Sequence, residues 1–170
     1  MYAYFEDSAW DWYLNIMTYD NGKLCEAAII AGDKFDLPKL MRSGLKALDH
    51  LIKITFSKGY FSPIGCHGWY NINEKKAEFD QHPIEADSMS RALMAAYRVT
   101  GNRYYVKLIN KCRDWFYGAN VFGVPLVNEV LDGAYDGLTA VGVNLNQGAE
   151  SNIAFISTIL SVLELEKEAN

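Results

Sequence analysis

The chain is expected to be all-α, built from helical hairpins, and three observations lead there. The phrases YDNGKLCEAAI from Tyr19, FDQHPIEADSM from Phe79 and LNQGAESNIAF from Leu145 share one pattern. Each sets an apolar or aromatic residue, an Asp or Asn, an Asn or Gln and then a Glu ahead of a helical stretch. Anchored on Glu26, Glu85 and Glu150, the copies lie 59 and 65 residues apart, a period that fits a repeated helical hairpin. Between them, apolar residues recur at helical spacing, and no segment shows the alternation of a convincing strand.

The elements follow in order. Ser8 to Met17, with Trp10 and Trp12, is read as a first helix. Asn21 and Gly22 mark a turn, and Lys23 to Ala31 forms a short helix stopping at Gly32. Asp36 caps a longer helix that tolerates Pro38 in its first turn. Leu40, Leu45, Leu48, Leu51, Ile52 and Ile54 carry that helix to about Ser57. An irregular stretch, KGYFSPIGCHGWYNINEKK, comes next. Pro83 opens a helix, with Asp80 in the cap region, that continues through Met94 and Tyr97 to Gly101. Asn102 opens its partner, which passes Leu108, Ile109, Trp115 and Phe116 and stops at Gly118. The connection from Ala119 to Gln147 is long and Gly-rich, the kind of loop that carries function or covers something. A last helix from Gly148 to about Glu166 presents Ile153, Ile156, Ile159, Leu160 and Leu163 on one face.

That makes six helices or slightly fewer, in about three hairpins, within one domain spanning 1–170. The helices beginning at Lys23, Pro83 and Gly148 carry small residues (Ala27, Ala28, Ala95, Ala96, Gly148, Ala149, Ala154) and are assigned to an inner layer. Those beginning near Asp36 and Asn102 carry more Lys and Arg and are assigned to an outer one.

Composition narrows the function. The 170 residues are 50% hydrophobic and 22% charged, as in an ordinary globular domain, and are long enough for a sizeable core. A net charge of -5 speaks against nucleic acid or an anionic membrane as partner. No apolar run approaches the ~20 residues that span a bilayer. MYAYFEDSAWDW lacks a basic region followed by an apolar one, so no signal peptide is expected. Cys25, Cys66 and Cys112 are an odd, scattered set, read as reduced thiols in a cytoplasmic protein. Aromatics reach 14%. Most suit packing between helices, while Trp69 and Tyr70, in a polar loop, suit stacking on sugar rings.

These residues resemble the six-hairpin toroids of carbohydrate-active enzymes, which include unsaturated glucuronyl hydrolases and N-acylglucosamine 2-epimerases. GCHGWY, DQHPIEA and GVNLNQGAES are more closely similar to a helical module found downstream of bacterial group 1 glycosyltransferase domains. The resemblance runs from YDNGKLCEA to the last helix and implies about half of an (α/α)6-type toroid. Nothing resembles the nucleotide-sugar-binding domain itself. Three hairpins cannot close a six-hairpin ring, so association is expected, with a second copy or with the remainder of a longer toroid. It would bury apolar residues of the first and last helices such as Trp10, Trp12, Ile156 and Leu163.

Glycoside chemistry calls for two carboxyl groups across the scissile bond. Asp80, Glu85 and Glu150 are the candidate catalytic groups, because they stand at or before helix starts where a cavity would open. Acidic residues in a first turn also serve simply to complement the helix dipole. Asp20, Asn21, Glu26, His67, Trp69, Tyr70, Gln81, Asp87, Asn144, Asn146 and Gln147 are the candidate saccharide contacts, though Asn and Gln before a helix are also ordinary caps. Cys66, His67 and His82 lack the spaced pairs of a zinc site, so neither metal nor cofactor is expected. His50 is read as structural. No G-x-S-x-G elbow or Walker loop is present. Three functions stay open: an enzyme acting on saccharides, a non-catalytic glycan-binding or glycosyltransferase-accessory module, and a scaffold for protein partners. Two carboxylates facing across a pocket would mark the enzyme. Glu side chains tied into caps, among aromatics and amides, would mark the binder.

Overall fold

The computed structural model describes residues 10–168. It is mostly helical, with α1 (Gly22–Lys34), α2 (Pro38–Thr55), α3 (Pro83–Thr100), α4 (Tyr104–Phe116) and α5 (Ala149–Glu168). Six short strands lie in the loops: β1 (Ile16–Met17), β2 (Tyr70–Asn71), β3 (Val127–Asn128), β4 (Gly133–Ala134), β5 (Gly137–Thr139) and β6 (Gly142–Asn144). Each pairs with one antiparallel neighbour, β1 with β2, β3 with β4 and β5 with β6. None of the described helices is long and apolar enough to cross a membrane.

Side-chain pairs reveal how the helices run. The backbone before α1 meets α3 at Asp20–Glu85, and α1 meets it again at Glu26–Arg91, both 65 residues apart. From α3 to α5 the pairs are Asp87–Ser157 and Arg98–Glu168, both 70 apart. A constant difference means parallel axes, so α1, α3 and α5 point the same way and start at one end. The neighbour α2 runs back along α1. Gly32 lies under Met41, and Gly44 under Ala28 and Ile29. Here α3 stands between α1 and α5, α2 packs on α1, and α4 packs across α3 and α5. The layer assignment of the helices therefore matches this packing, three in one layer and two in the other.

Close approach decides two features that composition hides. A Cβ on Gly22 would lie 2.3 Å from the Ser88 carbonyl oxygen, so α1 can start against α3 only with glycine there. Gly32 does not end α1, which runs on to Lys34. It is buried inside the helix, where a Cβ would sit 2.5 Å from the Met41 backbone nitrogen. Gly101, by contrast, ends α3 in the left-handed region, with φ 68°.

Other boundaries move for physical reasons. Asp36 does not cap α2; it adopts a positive φ of 52°, and Leu37 precedes Pro38 without a side-chain cap. Asp80 likewise has a φ of 58° and leaves the cap position to His82. Asn102 does serve α4, its Oδ1 accepting the Tyr104 N–H at 3.0 Å. The expected helix from Ser8 to Met17 is absent over its described part. Residues 10–15 are irregular and lead into β1, while Ser8 lies outside the described residues. The alternation is of period two: Trp10 and Trp12 are buried while Asp11 and Tyr13 are only partly so. Trp10 donates its indole N–H to the Leu14 carbonyl and packs edge-on against His50 and Tyr70. Both tryptophans are thus covered within one chain and cannot belong to an association surface.

The core gathers Leu48, Phe61, Leu93, Ile109, Trp115, Phe116 and Leu126. Lys76, partly buried, donates to the Ser62 carbonyl and hydroxyl and the Pro63 carbonyl at 2.5–3.0 Å. Burial lowers its pKa to about 8.

Candidate functional site

The common end of α1, α3 and α5 carries a cluster of polar and aromatic side chains, termed the mouth. Its centre is the dipeptide before α1. The Tyr19 hydroxyl donates to Glu150 at the start of α5, and the Asp20 N–H donates to Glu85 Oε1 at 2.6 Å. Asp20 reaches this geometry through a left-handed backbone with φ 54°, which Asp tolerates better than most residues. The side chain of Asn21 spans the same turn, bonding the Thr18 N–H and carbonyl and reaching Glu85 Oε2 at 3.4 Å. Glu85 is therefore buried and held on both oxygens. Burial pushes its carboxyl up to about 7, against the pull of the Asp20 N–H and the Asn21 amide. Burial also raises Asp20, whose Oδ1 is enclosed without a hydrogen-bond partner. The Tyr19 phenol is raised by burial and then by its bond to Glu150, so it stays protonated and a donor.

A second group closes on Tyr19 from the loop after α2 and the start of α3. The Tyr19 ring stands edge-on to Trp69 at 6.4 Å and to His82 at 6.3 Å between ring centres. Trp69 is half-buried with a φ of 59°, and His67 beside it is exposed. His82 Nε2 lies 3.3 Å from Cys66 Sγ. His67 Nδ1 lies 3.6 Å from Asp80 Oδ2. Burial, and then the Asp80 carboxylate, raise the Cys66 thiol, so it is not an activated nucleophile.

The third wall is the long loop. The bridge between Gln81 and Leu138, two backbone bonds of 2.9 and 3.0 Å, ties it to the start of α3. Asp136 then caps α5 from a distance: Oδ1 accepts the Gly148 N–H at 2.7 Å and Oδ2 accepts from the Asn146 amide. Burial would raise this carboxyl, but the Ser151 hydroxyl, the Gly148 N–H and Asn146 outweigh it and hold it below the usual range.

The structure sorts the sequence candidates into groups. Asp20, Asn21, Glu85 and Glu150 meet around Tyr19, with His67, Trp69 and Asp80 on the adjoining wall. Asn144 and Asn146 lie in the third wall, Asn144 Oδ1 accepting the Asn146 N–H. Gln147 stands beside Gly133. Four side chains are engaged elsewhere. Gln81 is buried, its amide oxygen accepting from Trp115 Nε1 and its amide nitrogen donating to the Glu78 carbonyl, so it braces the core. Tyr70 turns toward Trp10. Glu26 bonds Lys23 and Arg91 and, with Arg98 and Leu160, lines a separate groove of about 530 Å³ over α3. Asp87 lies near this groove and accepts from Ser157 at 2.5 Å.

Glu26 is therefore not level with Glu85, but with Arg91 further along α3. The residue level with Glu85 is Asp20, whereas the step of 70 from α3 to α5 sets Glu150 below that level, toward the common end of the helices. The phrases keep their alignment relative to the helix starts at Gly22 and Pro83, but the parallel helices are offset along their axes. Sequence reasoning also passed over Tyr19, His82 as a wall residue, and Asp136. The positive φ shared by Asp20 and Asp80 shows that Tyr19-Asp20 and Phe79-Asp80 are one device used twice. No protein-family model and no curated protein matches the chain.

Proposed function

We propose that the mouth at the start of α1, α3 and α5 is a saccharide site, and that the chain is a non-catalytic carbohydrate-binding module forming about half of a six-hairpin toroid. One observation carries this reading: aromatic faces and fixed polar groups converge at a common set of helix starts. Tyr19 and Trp69 offer ring faces and edges to a pyranose. Glu150, Asp80 and His67 supply polar atoms at the rim. Acidic side chains outnumber basic ones there, which favours neutral sugars over uronates. Glu85 acts here as a positioning group, because both of its oxygens hold the turn that presents Tyr19.

A second reading, acid–base chemistry on the saccharide, draws on one feature: a carboxyl poised near 7 beside a second carboxylate, Glu150. Binding is preferred because Glu85 and Glu150 are each tied to the Tyr19-Asp20 turn rather than left facing one another.

Titration with neutral gluco-, manno- and N-acetylglucosamine oligosaccharides, followed by tryptophan fluorescence, tests the site. A saturable response that Trp69→Ala and Glu150→Gln each reduce is expected. No response to any of them, or one untouched by both substitutions, rejects it. Turnover of a bound oligosaccharide, abolished by Glu150→Gln with melting unchanged, would move the conclusion to the second reading.

A further inference from the structure

The row α1–α3–α5 ends in two open edges, and they match. On α5, Ile156 and Leu163 lie two turns apart and are 56% and 45% exposed. The same helix buries Ser151, Ala154, Thr158 and Ser161 beside Val162 and Leu165. Burying four small or hydroxyl-bearing residues while leaving Ile156 and Leu163 outside runs against the usual preference and marks a face suited to a neighbour. At the other end of the row, Leu24, Ala27, Ala31 and Phe35 follow helical spacing on the side of α1 away from α3, and Leu24 and Phe35 are 45% and 74% exposed. The α1 stripe runs the length of its helix, Ile156 and Leu163 occupy the middle and later part of α5, and the two helices are parallel. The steps of 65 and 70 set Leu163 at the height of Ala27 and Ala28, and Ile156 at the height of Asn21 just before α1.

Charge agrees with shape. Arg98 of α3 reaches sideways to Glu164 and Glu168 of α5 at 2.8–2.9 Å. Lys34 at the end of α1 is largely exposed, with a 3.8 Å contact to neighbouring Asp33. Placed beside the other edge of α5, Lys34 would approach those carboxylates as Arg98 does.

We infer that a second copy of this chain packs its α1 edge against this α5 edge, in parallel, and that a two-fold axis along the groove repeats the contact. Six parallel helices then form a closed ring. The groove over α3 becomes the wall of an enclosed lumen, and the two mouths open side by side at one end. The contact rests on the helix edges alone and stands whatever the mouth binds.

Light scattering on a size-exclusion column should give twice the 19.2 kDa chain mass at micromolar concentration. The pair Ile156→Glu and Leu163→Glu, on exposed positions, should keep the circular dichroism spectrum and weaken dimerisation at least ~30-fold, as loss of a central apolar anchor does. Ala27→Cys combined with Leu163→Cys should oxidise to a discrete cross-linked dimer that the wild-type chain, with its own Cys66, does not form. A wild-type monomer overturns the inference, as does a dimer indifferent to the two Glu substitutions. Cross-linking by Leu163→Cys alone would show α5 against α5, and a ladder of oligomers would show an open chain. Either result also rejects the ring.

Discussion

Glu85 is the residue where burial and function are most tightly joined. Its carboxyl is raised to about 7, above the ordinary 4.5, so the folded state holds this proton more firmly than the unfolded chain. The contribution of Glu85 to stability is therefore fully present below about pH 4.5 and is lost as pH rises through about 7. Asp20 and Asp87 are raised in the same direction, so the variant difference isolates Glu85. Glu85→Gln should flatten the fall in melting temperature between those pH values, by an amount on the order of 3 kcal/mol or less. Equal pH profiles for wild type and variant would contradict the burial argument. Gln81 shows the opposite outcome for a candidate residue. As a polar residue before a helix it reads as a ligand contact, yet the fold uses both ends of its amide inside. Gln81→Ala should cost about 2 kcal/mol by leaving the Trp115 N–H unpaired, measured by urea unfolding, with saccharide binding retained by the folded fraction. Nothing in the local sequence distinguishes the two cases, because burial of an amide is decided by what stands across from it.

Among the elements, helix interiors were readable and helix ends were not. The periodic apolar residues of α2, α3 and α4 mark those helices without ambiguity, because a 3.6-residue period is a property of the segment itself. Gly32 was misread because a glycine that stops a helix and one that admits another helix look identical in sequence. Gly32→Ala separates them. A mere terminus would tolerate the change, whereas the observed contact with Met41 should make it destabilising by about 3 kcal/mol in thermal or urea unfolding. The segment around Trp10 and Trp12 was misread because clustered aromatics satisfy a short helical window and an extended strand equally well. Asp136 was missed because it lies 12 residues before the N–H it accepts. Asp136→Ala should lower stability by about 1 kcal/mol, as loss of a cap does, and should loosen hydrogen exchange at Gly148 rather than across the core. Uniform loss of protection would mean the residue holds more than one helix end.

For the molecule as a whole, the sequence by itself determined a mostly helical chain, its hairpin connections, the division into small-residue and basic helices, and a repeat with polar phrases before three helices. All of these follow from short-range rules of period, capping and composition. Only the tertiary structure decided which residues stand together. Parallel packing of α1, α3 and α5 brings side chains 64–70 residues apart into contact, and it sets Asp20 rather than Glu26 beside Glu85. It also sends Glu26 and Asp87 to the groove, turns Gln81 and the two tryptophans inward, and leaves Ile156 and Leu163 outward on α5. A sliding phrase can be aligned on any of its acidic residues. The register between two helices is set by where a glycine lets one backbone touch another, as Gly22 does against Ser88. That close fit is a property of two surfaces, and no single stretch of sequence contains both.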